Sequence, residues 1–112
     1  MNTRQIPESE WAHELQNFTN RNAGRRTLLE EHGPDLGAQL AEQGCLLRGV
    51  AYDRHDRRIE IMLGELEGAD QHLTHSVAAA ANIEVVTDQD GRDWALRIAR
   101  PDGQTLLRFD VD

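Results

Sequence analysis

The chain has 112 residues, which is enough for one domain with a single core. It carries 12 arginines against 20 acidic residues, and a net charge of −8 repels the phosphate backbones of nucleic acids. The single cysteine excludes an internal disulfide, no apolar run reaches the length of a membrane span, and the first residues lack the apolar core of a signal peptide. We therefore expect one soluble, cytoplasmic domain over residues 1–112 that binds neither nucleic acid nor membrane.

The first periodic segment predicts a helix over about residues 8–22. A proline followed by acidic residues is typical of a first helical turn. Trp11, Leu15 and Phe18 then recur at the spacing of one helical face, and Gly24 is placed to end the helix. Because a helix of about three turns is not stable alone, we expect its apolar face to pack on a sheet.

The remainder of the chain, residues 25–112, is predicted to be β-rich. Strands are predicted at about 25–32, 45–53, 57–63 and 71–77, followed by three more in a C-terminal meander. Residues 36–43 fit a strand or a helical turn, with the strand favoured, and 78–81 form a connector that has room for one helical turn. The expected fold is α+β, with the helix packed on a bent, mainly antiparallel sheet of six or seven strands, a partly open barrel being one form.

Two arrangements within this sheet can be predicted from apolar patterns. In the meander, Trp94 and Leu96 share one face, and pairing Leu96 with Leu107 and Trp94 with Phe109 keeps the apolar faces together. The Arg-Pro-Asp-Gly turn instead favours a three-residue loop, which would pair Leu96 with Arg108. We expect the apolar pairing, with a bulge nearby to absorb the difference.

Leu28 and Leu29 are the apolar content of the first predicted strand, which we expect to lie at the edge of the sheet. An uncovered edge strand presents unpaired backbone groups to another chain. A homodimer is therefore predicted.

His72 and His75, with Glu65, Glu67 and Asp70 upstream, are the one group that resembles a set of metal ligands. In a strand, residues three apart point to opposite faces, so the two histidines cannot begin a shared metal site. We expect His72 to face solvent and His75 to lie at the rim of the core, hydrogen-bonded to a backbone or carboxylate neighbour. No metal site is predicted.

Arginines offer a second hypothesis, an anion-binding rim, if strand pairing brings two groups of them together. Surface arginines on solvent-facing strand positions are the ordinary interpretation. The two groups are Arg25 and Arg26 in one segment, and Arg54, Arg57 and Arg58 in the other.

Three segments together carry a resemblance. They are Ile6-Pro7 with Trp11 and Phe18, the strand Ile59-Glu60-Ile61-Met62-Leu63-Gly64, and the box His72-Leu73-Thr74-His75. In these segments the chain resembles a small bacterial family of about this length that is known only as a domain of unknown function. The resemblance spans nearly the whole chain and implies no activity. It makes the His-Leu-Thr-His segment the first place to look for a site.

The leading functional interpretation is a non-enzymatic interaction or small-ligand-binding module with no catalytic residue and no cofactor. The ligand-binding candidates are His72, His75, Asp70 and Arg58. The alternative is a small enzyme or metal-binding protein that uses His72 or His75. A deep pocket that holds a histidine beside a carboxylate favours the alternative, and a flat apolar patch or dimer interface favours the module.

Overall fold

The computed structural model describes residues 1–34, 37–64 and 72–109, which form one α-helix and eight β-strands. Helix α1 spans Trp11–Asn22 and follows a 3-10 turn at Glu8–Glu10. The strands are β1 Asn2–Ile6, β2 Arg26–Gly33, β3 Gly37–Asp53, β4 Arg58–Gly64, β5 His72–Ala78, β6 Asn82–Thr87, β7 Asp93–Arg100 and β8 Gly103–Phe109. They form one open antiparallel sheet in the order β1-β6-β7-β8-β2-β3-β4-β5, so the fold is α+β.

The long strand β3 bends the sheet. Its first part pairs with β2 and its last part pairs with β4, and Leu46 is the residue that has partners on both sides. Between these parts the pairing register shifts against β2 and against β4, and at each shift β3 has one more residue than the strand it pairs with. Gly44 lies in this region and has a φ of +84°. Bulges of this kind bend a strand and increase its twist. The sheet therefore curls around its inner face, and this curvature positions the polar cluster described below.

Helix α1 covers that inner face. Trp11, Leu15 and Phe18 are buried, as the helical spacing predicts, and share one core with apolar residues of all eight described strands. The Trp11 indole nitrogen donates a hydrogen bond to the carbonyl oxygen of Ile6 (2.9 Å), which ties the start of the helix to β1. At the other end, the Thr19 hydroxyl accepts a hydrogen bond from the Val50 backbone nitrogen on β3 (2.9 Å).

Two predictions about the sheet are corrected by the strand order. Six or seven strands is too low, because β1 was not predicted and pairs with β6 within the described residues. The expectation that Leu28 and Leu29 lie on an outer strand is wrong. Strand β2 lies between β3 and β8, and Leu29 is fully buried. The outer strands of the described sheet are β1 and β5.

In the meander, Leu96 pairs with Leu107, which confirms the apolar register. The turn has two residues rather than three, because Arg100 pairs with Gly103, and the conflict between turn and register therefore disappears. The prediction that Trp94 shares the face of Leu96 is wrong.

A register shift between β6 and β7 makes Trp94 an extra residue, so the bulge lies there and not beside the turn. The Trp94 ring lies 5.8 Å from the guanidinium carbon of Arg108, which pairs with Ala95 on the outer face.

The remaining predictions about elements concern short segments. Residues 37–43 belong to β3, which confirms the strand. Within 78–81 the chain makes a bend, with Ala79 at a φ of +58°, and not a helical turn. No helix in the described part of the chain is both long and apolar enough to cross a membrane.

Candidate functional site

Four polar side chains from four strands meet at one end of the inner face. Glu31 on β2 is their centre, and we call Glu31, His75, Arg100 and Thr105 the Glu31 cluster. Oxygen Oε1 of Glu31 accepts a hydrogen bond from the Thr105 hydroxyl (2.7 Å) and lies 2.7 Å from Nε2 of His75. Its other oxygen, Oε2, lies 2.9 Å from Nη1 of Arg100, which also contacts the Thr105 hydroxyl.

The contact between Glu31 and His75 depends on the bend in β3. Glu31 pairs with Gln39 and His75 pairs with Ile61, which itself pairs with Val50. Gln39 and Val50 are eleven residues apart, which corresponds to roughly 36 Å in a straight strand. The two side chains touch because β3 turns back between these positions.

The environment of Glu31 favours its charged form. Burial by itself would raise the pKa of the Glu31 carboxyl, but hydrogen bonds from Thr105, His75 and Arg100 outweigh that effect. The positive charge of Arg100 acts in the same direction, and the net result is a pKa below the ordinary value of a glutamic acid. Glu31 is therefore an anion at neutral pH.

An ionised carboxylate can only accept hydrogen bonds, so Nε2 of His75 must carry the hydrogen that lies between them. The other ring nitrogen, Nδ1, then has a free lone pair in neutral imidazole and a hydrogen in imidazolium. Among the described residues, Nδ1 of His75 has no hydrogen-bond partner, and the side chain is 30% exposed. The cluster therefore orients the imidazole through Nε2, and none of the described residues occupies Nδ1.

A shallow concavity of about 380 Å³ lies beside the cluster, where β2 ends and β7 turns into β8. Asp102, which lines it, is linked to the cluster by a 3.3 Å contact with Nε of Arg100. His75 does not line this concavity, although His32 does. The lining residues are His32, Gly33, Pro34, Pro101, Asp102, Gly103 and Gln104.

Comparison with known proteins identifies the family and no function. The model of a family of unknown function, DUF5335, matches residues 2–111. The chain belongs to this family. That result confirms the resemblance to a domain of unknown function that spans nearly the whole chain. A search of curated proteins and a search of solved structures found no significant match.

Of the three predicted ligand-binding residues that the structure of this DUF5335 chain describes, only His75 lies in the cluster. His75 is hydrogen-bonded to a carboxylate at the rim of the core, as predicted. His72 is exposed at the start of β5, and strand alternation places it on the opposite face. Arg58 is exposed at the far end of β4, where it pairs with Ala78. Asp70 lies outside the described residues.

Strand pairing does not assemble the predicted arginine rim. Arg26 pairs with Leu46 and Arg58 pairs with Asp53, and these two partners are seven residues apart on β3. Arg25 instead donates hydrogen bonds to Asn22 and to the backbone of Asp93.

Sequence reasoning missed three of the four cluster members, although one signal was present. In the four strands of the cluster a polar residue continues the apolar positions of the inner face, after them in β2 (Glu31 after Leu29) and before them in β8 (Thr105 before Leu107). Since Leu96 opposite Leu107 was predicted, the same register places Ile98 opposite Thr105. Polar residues that continue an apolar face toward the end of a strand are therefore a signal for a polar rim.

Proposed function

We propose that this chain is a non-enzymatic small-ligand-binding module in which His75 is the polar anchor for the ligand. The supporting observation is the Glu31 cluster, which holds the His75 ring by one nitrogen and leaves the other without a partner among the described residues. A pre-oriented donor or acceptor beside an apolar core is the usual basis of small-ligand recognition.

The alternative, a small enzyme or metal-binding protein, has one observation in its favour, which is the histidine beside a carboxylate. For covalent catalysis, a histidine base of this type also needs a nucleophile bonded to its second nitrogen. The hydroxyl within the cluster, that of Thr105, is hydrogen-bonded to Glu31 and Arg100 and not to His75. Within the described residues no three potential metal ligands converge. These contacts favour binding over covalent chemistry.

An NMR screen of the ¹⁵N-labelled protein with a library of small polar fragments tests the proposal. We expect at least one fragment to shift the His75 ring signals with a dissociation constant below about 1 mM. His75→Ala should abolish binding of that fragment, followed through the backbone amide shifts that the fragment causes in the original protein. His55→Ala is the matched control, because His55 is exposed in the turn between β3 and β4. Hits that leave the His75 ring unchanged would refute the assignment of His75 as anchor.

A second prediction concerns zinc. Because His72 and His75 occupy opposite faces of β5, a tetrahedral site cannot use both, and such a site needs at least three protein ligands. Calorimetric titration with zinc should show no stoichiometric site tighter than about 1 µM. A tight site that is lost in both His72→Ala and His75→Ala would contradict the binding proposal and support the alternative.

The predicted homodimer remains a proposal, and the strand order changes its location. Of the two outer strands in the described sheet, β5 is favoured, because it exposes an apolar side chain, Leu73, whereas the exposed residues of β1 are polar. Light scattering at high micromolar concentration should give the mass of a dimer, and a monomer mass there would rule the dimer out. We also propose that the protein is cytoplasmic.

A further inference from the structure

A second polar cluster lies where the C-terminal end of α1 meets β7. The Asp93 side chain is 6% exposed, and it accepts hydrogen bonds from Nε of Arg21 (2.8 Å) and from the amide of Asn22 (2.7 Å). Nη1 of Arg25 donates to the Asn22 side-chain oxygen (2.9 Å) and to the Asp93 carbonyl oxygen (2.8 Å). Asp93 therefore bonds both guanidinium groups, that of Arg21 through its carboxylate and that of Arg25 through its backbone carbonyl oxygen.

Aromatic rings also restrain these two arginines. The guanidinium carbon of Arg25 lies 4.1 Å from the ring centroid of Phe109, and that of Arg21 lies 6.0 Å from the ring centroid of Phe18. Such stacking favours a guanidinium that lies over the ring face. Nε and Nη2 of Arg25, and Nη1 of Arg21, have no hydrogen-bond partner among the described residues. These donors are available to a ligand.

The two arginines line a concavity of about 270 Å³ together with Arg92, and we call it the arginine pocket. Arg92 is exposed, and its side chain has no hydrogen-bond partner within the described part of the chain. The pocket contains three positive charges and one negative charge, whereas the whole chain has a net charge of −8. A neighbouring concavity of about 400 Å³ shares part of its wall and adds a fourth arginine, Arg4.

Helix capping explains only part of this arrangement. Cations near the end of a helix interact favourably with its dipole, and Asp93 neutralises one of them. This accounts for Arg21 and Arg25, which lie at or just after the end of α1. It does not account for Arg92, which follows the turn between β6 and β7 and adds a third positive charge to the same concavity.

We propose that the arginine pocket binds the phosphate group of a small phosphorylated molecule. Guanidinium groups present planar pairs of donors that match phosphate oxygens, and charge-assisted hydrogen bonds of this kind are the stronger ones. The site shares no residue with the Glu31 cluster. The phosphate-binding proposal can therefore fail while the proposed role of His75 holds, and the reverse is also true.

Pyrophosphate is the probe for this proposal, titrated into ¹⁵N-labelled protein in phosphate-free buffer and followed by NMR. We expect saturable one-to-one binding, with shifts centred on the backbone amides of Gly91 and Arg92. Arg92→Gln should weaken binding about tenfold, because it removes one charge-assisted contact without disturbing the Asp93 network. Unchanged amide shifts elsewhere in the free variant establish that it is folded.

Arg54→Gln is the matched control, since it removes the same charge from an exposed turn outside the pocket. It should leave the affinity for pyrophosphate within about twofold of the original. The proposal is overturned if binding is not saturable, or if both variants weaken it equally. A single-stranded oligonucleotide of about eight nucleotides is titrated in the same way as a further test. If the oligonucleotide binds more tightly than pyrophosphate, and if Arg92→Gln abolishes that binding, the ligand of the pocket is a nucleic acid and not a small phosphorylated molecule.

Discussion

Replacing Phe18 with alanine should lower the free energy of unfolding by about 3–5 kcal/mol, the usual cost of removing a large aromatic side chain from a core. Phe18 is fully buried, and its ring stacks on that of Phe109 with 5.8 Å between the centroids. It is the third member of the apolar stripe that docks α1 on the sheet. The loss is a large fraction of the roughly 5–15 kcal/mol that stabilises a typical domain.

Urea denaturation of the two proteins measures this difference directly. Gln16→Ala is a suitable control, because Gln16 is exposed on the same helix and its side chain bonds, among the described residues, only to that of Asn20. Its expected effect is within about 0.5 kcal/mol. An unchanged denaturation midpoint in Phe18→Ala would show that α1 is not docked as described.

The helix was the most predictable element because its signals are local. The spacing of Trp11, Leu15 and Phe18 identifies both the helix and its buried face, and Gly24, at a φ of +87°, follows its end. The pairing of β7 with β8 was also predictable, since neighbouring strands joined by a short turn leave few registers. In both cases the residues that decide the structure lie close together in the chain.

Strand β1 and the position of β2 depend on contacts that are distant in sequence. Four of the five residues of β1 are exposed, so it shows no apolar alternation, and only its pairing with β6 makes it a strand. Strand β2 is interior because β8 pairs with it from more than seventy residues away. The order of strands in the sheet cannot be predicted from local sequence patterns alone.

The polar clusters were hidden for the same reason. His75 could be assigned to the rim of the core from strand alternation, but its partner Glu31 is 44 residues away and reaches it only because β3 bends. Asp93 faces α1 because the extra residue Trp94 changes the alternation of β7. A bulge of one residue reverses the face of every position on one side of it, and composition gives no sign of that.

Replacing Glu31 with alanine should lower the free energy of unfolding by about 2 kcal/mol at neutral pH, the usual cost of leaving buried donors without an acceptor. The Thr105 hydroxyl is fully buried and the Arg100 side chain is 17% exposed, so both lose an acceptor that solvent replaces poorly. Asp102 still contacts Arg100, which keeps the cost below that of an isolated buried charge. Asp56→Ala is the control, because it removes an exposed acid from the turn before β4.

The effect of Glu31→Ala should also depend on pH. The pKa of Glu31 is lower in the folded protein than in the unfolded chain, where the pKa of a glutamic acid is about 4.3. Between those two values the unfolded state binds more protons, so stability falls as the pH decreases. The contribution of the charged carboxylate is thus complete above the unfolded pKa and is lost as the pH falls through the folded one. Denaturation curves at pH 7 and at about pH 3 should show the difference between the original protein and Glu31→Ala shrinking in acid. A difference that is the same at both pH values would mean that the ionised carboxylate does not stabilise the cluster.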